Sequence, residues 1–327
     1  MRVLVKLLLA GGLAMSVLGR AAAPIEGTFI QLQSWMRDLT ADQWKAELRS
    51  MKRVGIQTVI LQWLRYDDAR FFPVHVEGTD PVKVILEESE RLGMKVFLGL
   101  WFHSDWWKRW HDARYLEDLA RWNVEFARTI WERYRGHGAL AGWYLPFEMA
   151  DTDFDEQEIV RLRKFLRQLS DGCHRLGRKN LPVAKSVFFT RKLPVEAIEK
   201  IYGKLLAGAG IDILIVQDGV GAQGWQASVR ELAVPYLRAF RRVGEKVKAR
   251  TWLALEVFST EKDARGMDAR RVPAELSQLT EQIEVEVPLF EKTVMFDFFH
   301  YMSPHRGEDR RLLYEGYLRE YGPGDDD

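Results

Sequence analysis

Residues 140–148 read LAGWYLPFE. Trp143, Leu145 and Phe147 alternate with Gly142, Tyr144, Pro146 and Glu148, the two-residue period of a β-strand. Bulky apolar side chains on one parity belong against a layer of helices, so the other parity carries Glu148 to the opposite, inward face at the end of the run. Residues 251–258, TWLALEVF, repeat the pattern, with Leu253, Leu255 and Val257 on one side and Trp252, Ala254 and Glu256 on the other. Six more runs share this texture: GTFIQLQ from residue 27, QTVILQW from 57, MKVFLGLW from 94, PVAKSVFF from 182, IDILIVQD from 211 and TVMFDFF from 293. Successive starts lie 29 to 46 residues apart, room for one helix and two loops.

The intervening segments carry helical periodicity. Trp44, Leu48 and Met51 share a face; so do Leu119, Trp122, Phe126 and Ile130, and Ile159, Leu162, Leu166 and Leu169. Gly55, Gly93, Gly177 and Gly244 fall where helices are expected to stop, and a last helix is expected over Asp309–Tyr321. Eight strand–helix units in about 300 residues is the count and size of a (β/α)8 TIM barrel, an α/β fold. A doubly wound open sheet is disfavoured because no G-x-G-x-x-G turn follows the first strand. No composition break divides the chain, so residues 24–322 are read as one TIM-barrel domain and 323–327 as a disordered polar tail.

Composition narrows the partners. Of 327 residues, 48 are Lys or Arg and 47 Asp or Glu, so no basic excess points to nucleic acid. The 12 Trp, 17 Phe and 10 Tyr are a large stock of flat apolar rings, of the kind that stack on sugars. Residues 1–23 combine Arg2 and Lys6, an apolar run over 7–18 and small residues at Ala21–Ala23. That is the pattern of a secretory signal peptide, too short in its apolar part to span a bilayer comfortably. The expected location is periplasmic or secreted, with no membrane attachment after cleavage. A single cysteine, Cys173, excludes an internal disulfide and a thiolate zinc site.

In a TIM barrel the chemistry sits at the C-terminal strand ends. Glu148 and Glu256 then meet across one barrel mouth, and burying both without a purpose is costly. Paired carboxylates of this kind suit glycoside hydrolysis, one protonating the leaving oxygen and the other ionised to attack or to activate water. Substrate contacts are expected from Gln31, Gln33, Trp35, Gln62, Trp101, His103, Asp218, Trp225, His300 and Tyr301, with Trp63 among the ringing aromatics. Phe147 and Pro146 offer Glu148 little solvation, which favours Glu148 as the protonated partner. An inward ion pair of Glu256 with Arg65 is the purely structural alternative. A zinc reading of His103, Asp105 and His111 finds no HExxH or HxH pair, so neither metal nor cofactor is expected.

GTFIQLQSW, GIQTVILQW, GWYLPFEMAD, ILIVQDGVG and FFHYMSP resemble the bacterial barrel family of unknown function DUF4434 over about residues 25–320. That family is glycoside-hydrolase-like and related to the clan-A retaining enzymes, whose glutamates end strands 4 and 7. The resemblance implies Glu148 as acid/base and Glu256 as nucleophile. One departure stands out: clan-A enzymes usually place Asn before the acid/base, and here Phe147 is in that place. The leading expectation is therefore an exported glycoside hydrolase acting on an oligo- or polysaccharide, with an exopolysaccharide among the candidate substrates. A non-catalytic carbohydrate-binding barrel and a metal-dependent hydrolase using His103, Asp105 and Asp218 remain as alternatives.

Overall fold

The structure, a computed structural model, describes residues 23–73, 80–177, 181–262 and 266–322. The segment read as an export signal, Ala23 apart, and the tail 323–327 lie outside these residues. Eight strands form a closed barrel: β1 Gly27–Ile30, β2 Thr58–Leu61, β3 Lys95–Gly99, β4 Leu140–Leu145, β5 Val183–Val187, β6 Ile213–Gln217, β7 Arg250–Glu256 and β8 Lys292–Phe296. Each pairs in parallel with its sequence neighbour, and β8 returns to β1 through Gly27 and Val294. The eight principal helices are α1 Ala41–Arg53, α2 Pro81–Arg91, α3 Ala113–Tyr134, α4 Glu156–His174, α5 Val195–Leu206, α6 Val234–Val247, α7 Leu276–Glu286 and α8 Glu308–Tyr321.

Strand parity sorts the core into two layers. Phe29, Ile60, Phe97, Tyr144, Ile215, Trp252 and Val294 fill the barrel interior. Trp143, Leu145, Phe147, Leu253, Leu255 and Val257 face the helices, in a cluster that includes Trp44, Leu48, Leu119, Phe126, Ile159 and Leu166. Gly142 is the local condition for that interior, because a Cβ there would lie 2.2 Å from the Phe97 ring. Helix starts are fixed by side chains that accept otherwise unpaired N–H groups: Thr40 from Gln43, Asp112 from Arg114 and Tyr115, and Asp155 from Glu158.

Two expectations about the chain are corrected. Gly244 does not end a helix; α6 runs on to Val247, and Lys248 takes the left-handed cap at φ 62°. Gly244 is there for close packing, since a Cβ would lie 2.1 Å from Thr251 Cγ2. The β7–β8 connection also holds more than a helix: an antiparallel hairpin of Phe258–Lys262 and Asp268–Pro273 precedes α7. Gly55, Gly93 and Gly177 do take positive φ just after α1, α2 and α4.

Candidate active site

The inward positions at the C-terminal ends of the strands form the floor of the cleft. Ile60 and Ile215 point inward, so by parity Gln62 and Gln217 do too; Tyr144 and Trp252 fix the same sense for Glu148 and Glu256. Gln62 Nε2 donates to Glu148 Oε1 at 3.3 Å. Tyr144 and Ser186 share a hydrogen bond of 2.6 Å, and Gln217 Nε2 donates to Ser186 Oγ at 3.2 Å. The Trp106 indole N–H donates to the Glu148 carbonyl at 2.9 Å, pinning the backbone behind the carboxyl.

Behind Glu148 lies a cation that sequence reading passed over. Lys185 is fully buried on the helix-facing side of β5, with its Nζ 2.5 Å from the Phe147 carbonyl and 3.0 Å from that of Ser186. Burial pulls this ammonium down to about 7, opposed by the Glu148 charge. Glu148 is itself half-buried, and burial raises its proton affinity; Lys185, the nearby Gln217 amide and Arg271 work against the rise.

Glu256 has the opposite surroundings. Its Oε2 accepts the Ala222 N–H at 2.6 Å, and it is 5% exposed. Beneath it lies Asp218, fully buried, whose Oδ1 accepts the backbone N–H groups of Glu256 and Val220, each at 3.2 Å, while Oδ2 accepts from Gln282 at 2.5 Å. Burial and then the Asp218 charge push Glu256 up to about 8, with Glu148 adding to the rise; Asp218 is pushed up to about 6 by burial. The two glutamates therefore feel each other, and both are shifted toward the protonated form. Phe147, expected to limit the solvation of Glu148, turns into the helix layer, while burial does raise the Glu148 proton affinity.

The remaining expected contacts divide. Trp35 is 43% exposed, edged by Phe299 and His300, with the Arg306 guanidinium 4.9 Å from its ring centre. Exposed Gln33 accepts the Trp35 indole N–H. Gln31 is half-buried, its N–H bonded to Asp297 Oδ2. His300 Nδ1 lies 2.7 Å from the same carboxylate; burial would lower its proton affinity, but Asp297 raises it overall. Tyr301 packs on Phe258 beside Arg271, at the Glu256 side. His103 rests between Trp101 and Tyr115.

Three expected sugar contacts are corrected. Asp218 is buried with both oxygens occupied, so it supports Glu256 and does not reach into the cleft. Trp101 carries the Arg65 guanidinium 3.6 Å over its ring and packs on Trp122 and Phe126, which leaves it no open face for a saccharide. Trp225 is 9% exposed and stacked on Phe189. Arg65 is thereby committed to Trp101, the Asp67 carbonyl and Asp68, and no ion pair joins it to Glu256 among the described residues.

Beside Glu148 a cavity of about 150 Å³ opens between Trp106, Trp107, Trp110, Met149 and Phe154. Trp107 is 51% exposed at its edge. The volume is below the roughly 300 Å³ of drug-sized ligand pockets, so the cavity suits one ring.

The profile of the family described as "Domain of unknown function (DUF4434)" matches residues 25–308, and the chain belongs to that family. An uncharacterised Escherichia coli K12 protein, YbcH, is 24% identical over 217 residues, covering 63% of this chain and 69% of its own. Among solved structures, a candidate alpha-L-fucosidase from Bacteroides thetaiotaomicron superposes with a TM-score of 0.71 at 21% identity, over 92% of this chain and 96% of that one. The endo-1,4-beta-mannanase of Rhizomucor miehei gives 0.59 at 13% identity, over 85% and 87%. A chitinase of Cycas revoluta gives 0.54 at 13%, over 91% and 100%. These likenesses share the (β/α)8 barrel fold. Among the described residues no helix is long and apolar enough to cross a membrane.

Proposed function

We propose that this DUF4434 protein is an exported glycoside hydrolase that cleaves an oligo- or polysaccharide with retention, using Glu148 and Glu256. One observation carries the reading: two inward carboxyls, Glu256 at the end of β7 and Glu148 just beyond β4, lie within electrostatic reach of each other beside a tryptophan-walled cavity. The reaction needs one proton on the pair. Glu148 gives that proton to the glycosidic oxygen as Glu256 attacks the anomeric carbon and the C–O bond breaks. Glu148 then takes a proton from water, whose oxygen displaces Glu256 and frees the sugar. The cavity beside Glu148 holds the ring of the leaving group, with Trp107 against its apolar face. The amides of Gln62 and Gln217 supply the hydroxyl contacts that Phe147, standing where clan-A enzymes carry Asn, does not. The glycosidase-type barrel and the signal-like N-terminus support the reading without selecting a sugar.

The test is a panel of glycans and aryl glycosides with purified protein, the anomer of the first product being read by NMR. Glu148→Ala should still release a very good leaving group, with azide restoring turnover, and Glu256→Ala should lose the first step. Inverted product would replace retention by a single displacement. Binding of glycans without turnover on any of the panel would make the chain a carbohydrate-binding barrel.

A further inference from the structure

The buried face of α7 carries a polar row beside its apolar Leu279, Ile283 and Val285. Gln278, Gln282 and Glu286 recur every four residues, all turned inward. Ser259 Oγ donates to Gln278 Oε1 at 2.7 Å, Gln278 Nε2 to Gln282 Oε1 at 3.3 Å, and Gln282 Nε2 to Asp218 Oδ2 at 2.5 Å and the Glu256 carbonyl at 3.3 Å. The ladder ends at Glu286, which is fully buried, and neither of its carboxyl oxygens meets an N–H or hydroxyl donor among the described residues. The polar group it does face is the carboxyl of Asp218.

A carboxylate buried without donors is too costly to persist, so Glu286 is neutral and its O–H needs an acceptor. Asp218, supplied with three N–H donors, is the carboxyl of the two that ionises. We propose that Glu286 is a positioning residue for this site, a neutral carboxylic acid that donates to Asp218 and so keeps an ionised carboxylate under Glu256. The proposal rests on the reading of Glu256 as a reacting group. It places a fixed negative charge beneath a residue that must exchange a proton with its partner. The other charged groups in reach are Glu148 and Arg271 facing Glu256, and Glu281 facing Glu286. Removing the donor should raise the proton affinity of Asp218 further; its repulsion on Glu256 then weakens, and Glu256 should give up its own proton at lower pH.

The experiment follows the Glu256 side-chain carbon by NMR in protein carrying 13C-labelled glutamate, assigned by its loss in Glu256→Gln, and needs no substrate. Wild type should titrate at about 8. Glu286→Gln, which keeps a donor, should titrate with wild type, whereas Glu286→Leu should bind the Glu256 proton about tenfold more weakly, one pH unit lower. Asp218→Asn, which keeps the shape and deletes the charge, should lower Glu256 likewise and serves if the leucine variant does not fold. The proposal is overturned if Glu286→Leu titrates like wild type, if the glutamine and leucine variants shift alike, or if Asp218→Asn leaves Glu256 unmoved. A titration that behaves as stated in a protein that hydrolyses no glycoside sinks the glycosidase reading and leaves the electrostatic linkage standing.

Discussion

Glu256→Gln should make the protein more stable at neutral pH while abolishing its chemistry. Burial and Asp218 push Glu256 from its ordinary 4.5 up to about 8. A carboxyl whose affinity for protons is higher folded than unfolded favours the folded state fully below 4.5 and loses that contribution as pH rises to about 8. Within that window each pH unit costs about 1.4 kcal/mol. From about pH 5 to about pH 8 the loss is on the order of 3 kcal/mol, part of it shared with Asp218, which repels the same charge. Glutamine keeps the acceptor for the Ala222 N–H and cannot ionise. Urea unfolding at several pH values reads the slope directly. Wild type should lose stability steadily across the window, and Glu256→Gln should lose much less and be the more stable protein by about 2 kcal/mol near pH 7. Parallel slopes for the two proteins would falsify the assignment of a high-affinity proton to Glu256.

The same proton sets an upper limit to activity: hydrolysis should fall above about pH 8 as the glutamate pair loses its last proton, and a pH–rate profile flat to pH 10 would contradict this. Trp107→Ala, opening the wall of the cavity beside Glu148, should raise KM several-fold for substrates with a sugar leaving group and change it little for a small leaving group; equal effects on both would remove the cavity from substrate binding. Gly244→Ala should destabilise by about 1–3 kcal/mol in thermal or denaturant unfolding, because its Cβ meets Thr251 inside a packed layer, and a neutral result would show that α6 can shift freely. N-terminal sequencing of exported protein should find a start between about residues 21 and 26, and retention of Met1 in a membrane fraction would make the segment an anchor.

What the sequence disclosed about this fold was whatever buried hydrophobicity writes into a local period. The alternation of Trp143, Leu145 and Phe147 against Tyr144 and Glu148 is a two-residue pattern that any inward–outward strand must carry, and the interior and helix-facing clusters reproduce it. The hairpin at Phe258–Lys262 and Asp268–Pro273 left no such trace, because its residues are mainly polar and solvent-facing. Lys185 escaped notice for the converse reason. A lysine inside an apolar run reads as an exposed exception, and only the three-dimensional path of β4 shows the Phe147 carbonyl waiting for its ammonium. Gln278, Gln282 and Glu286 share a helical face legibly enough, but polar residues at that spacing ordinarily mark the solvent side. Which side α7 turns to Asp218 is a tertiary fact, with no local signal to announce it.

Lys185 and Asp218 also bias where the proton of the pair rests. Lys185 behind Glu148 opposes the rise in that residue's proton affinity, and Asp218 under Glu256 adds to the rise there, so both influences bias the shared proton toward Glu256. The proposed chemistry needs it on Glu148. On that proposal a bound saccharide would supply the missing bias, its glycosidic oxygen accepting from a protonated Glu148 and its hydroxyls donating to an ionised Glu256. Binding energy is then used to move a proton across the pair, which requires the ligand to favour one arrangement over the other by at least the gap between them. Poor substrates, with fewer hydroxyl donors, would then leave the proton on Glu256 and bind without reacting. Specificity on this mechanism resides in turnover as well as in affinity, because only a ligand that completes both sets of hydrogen bonds converts the resting pair into the reactive one.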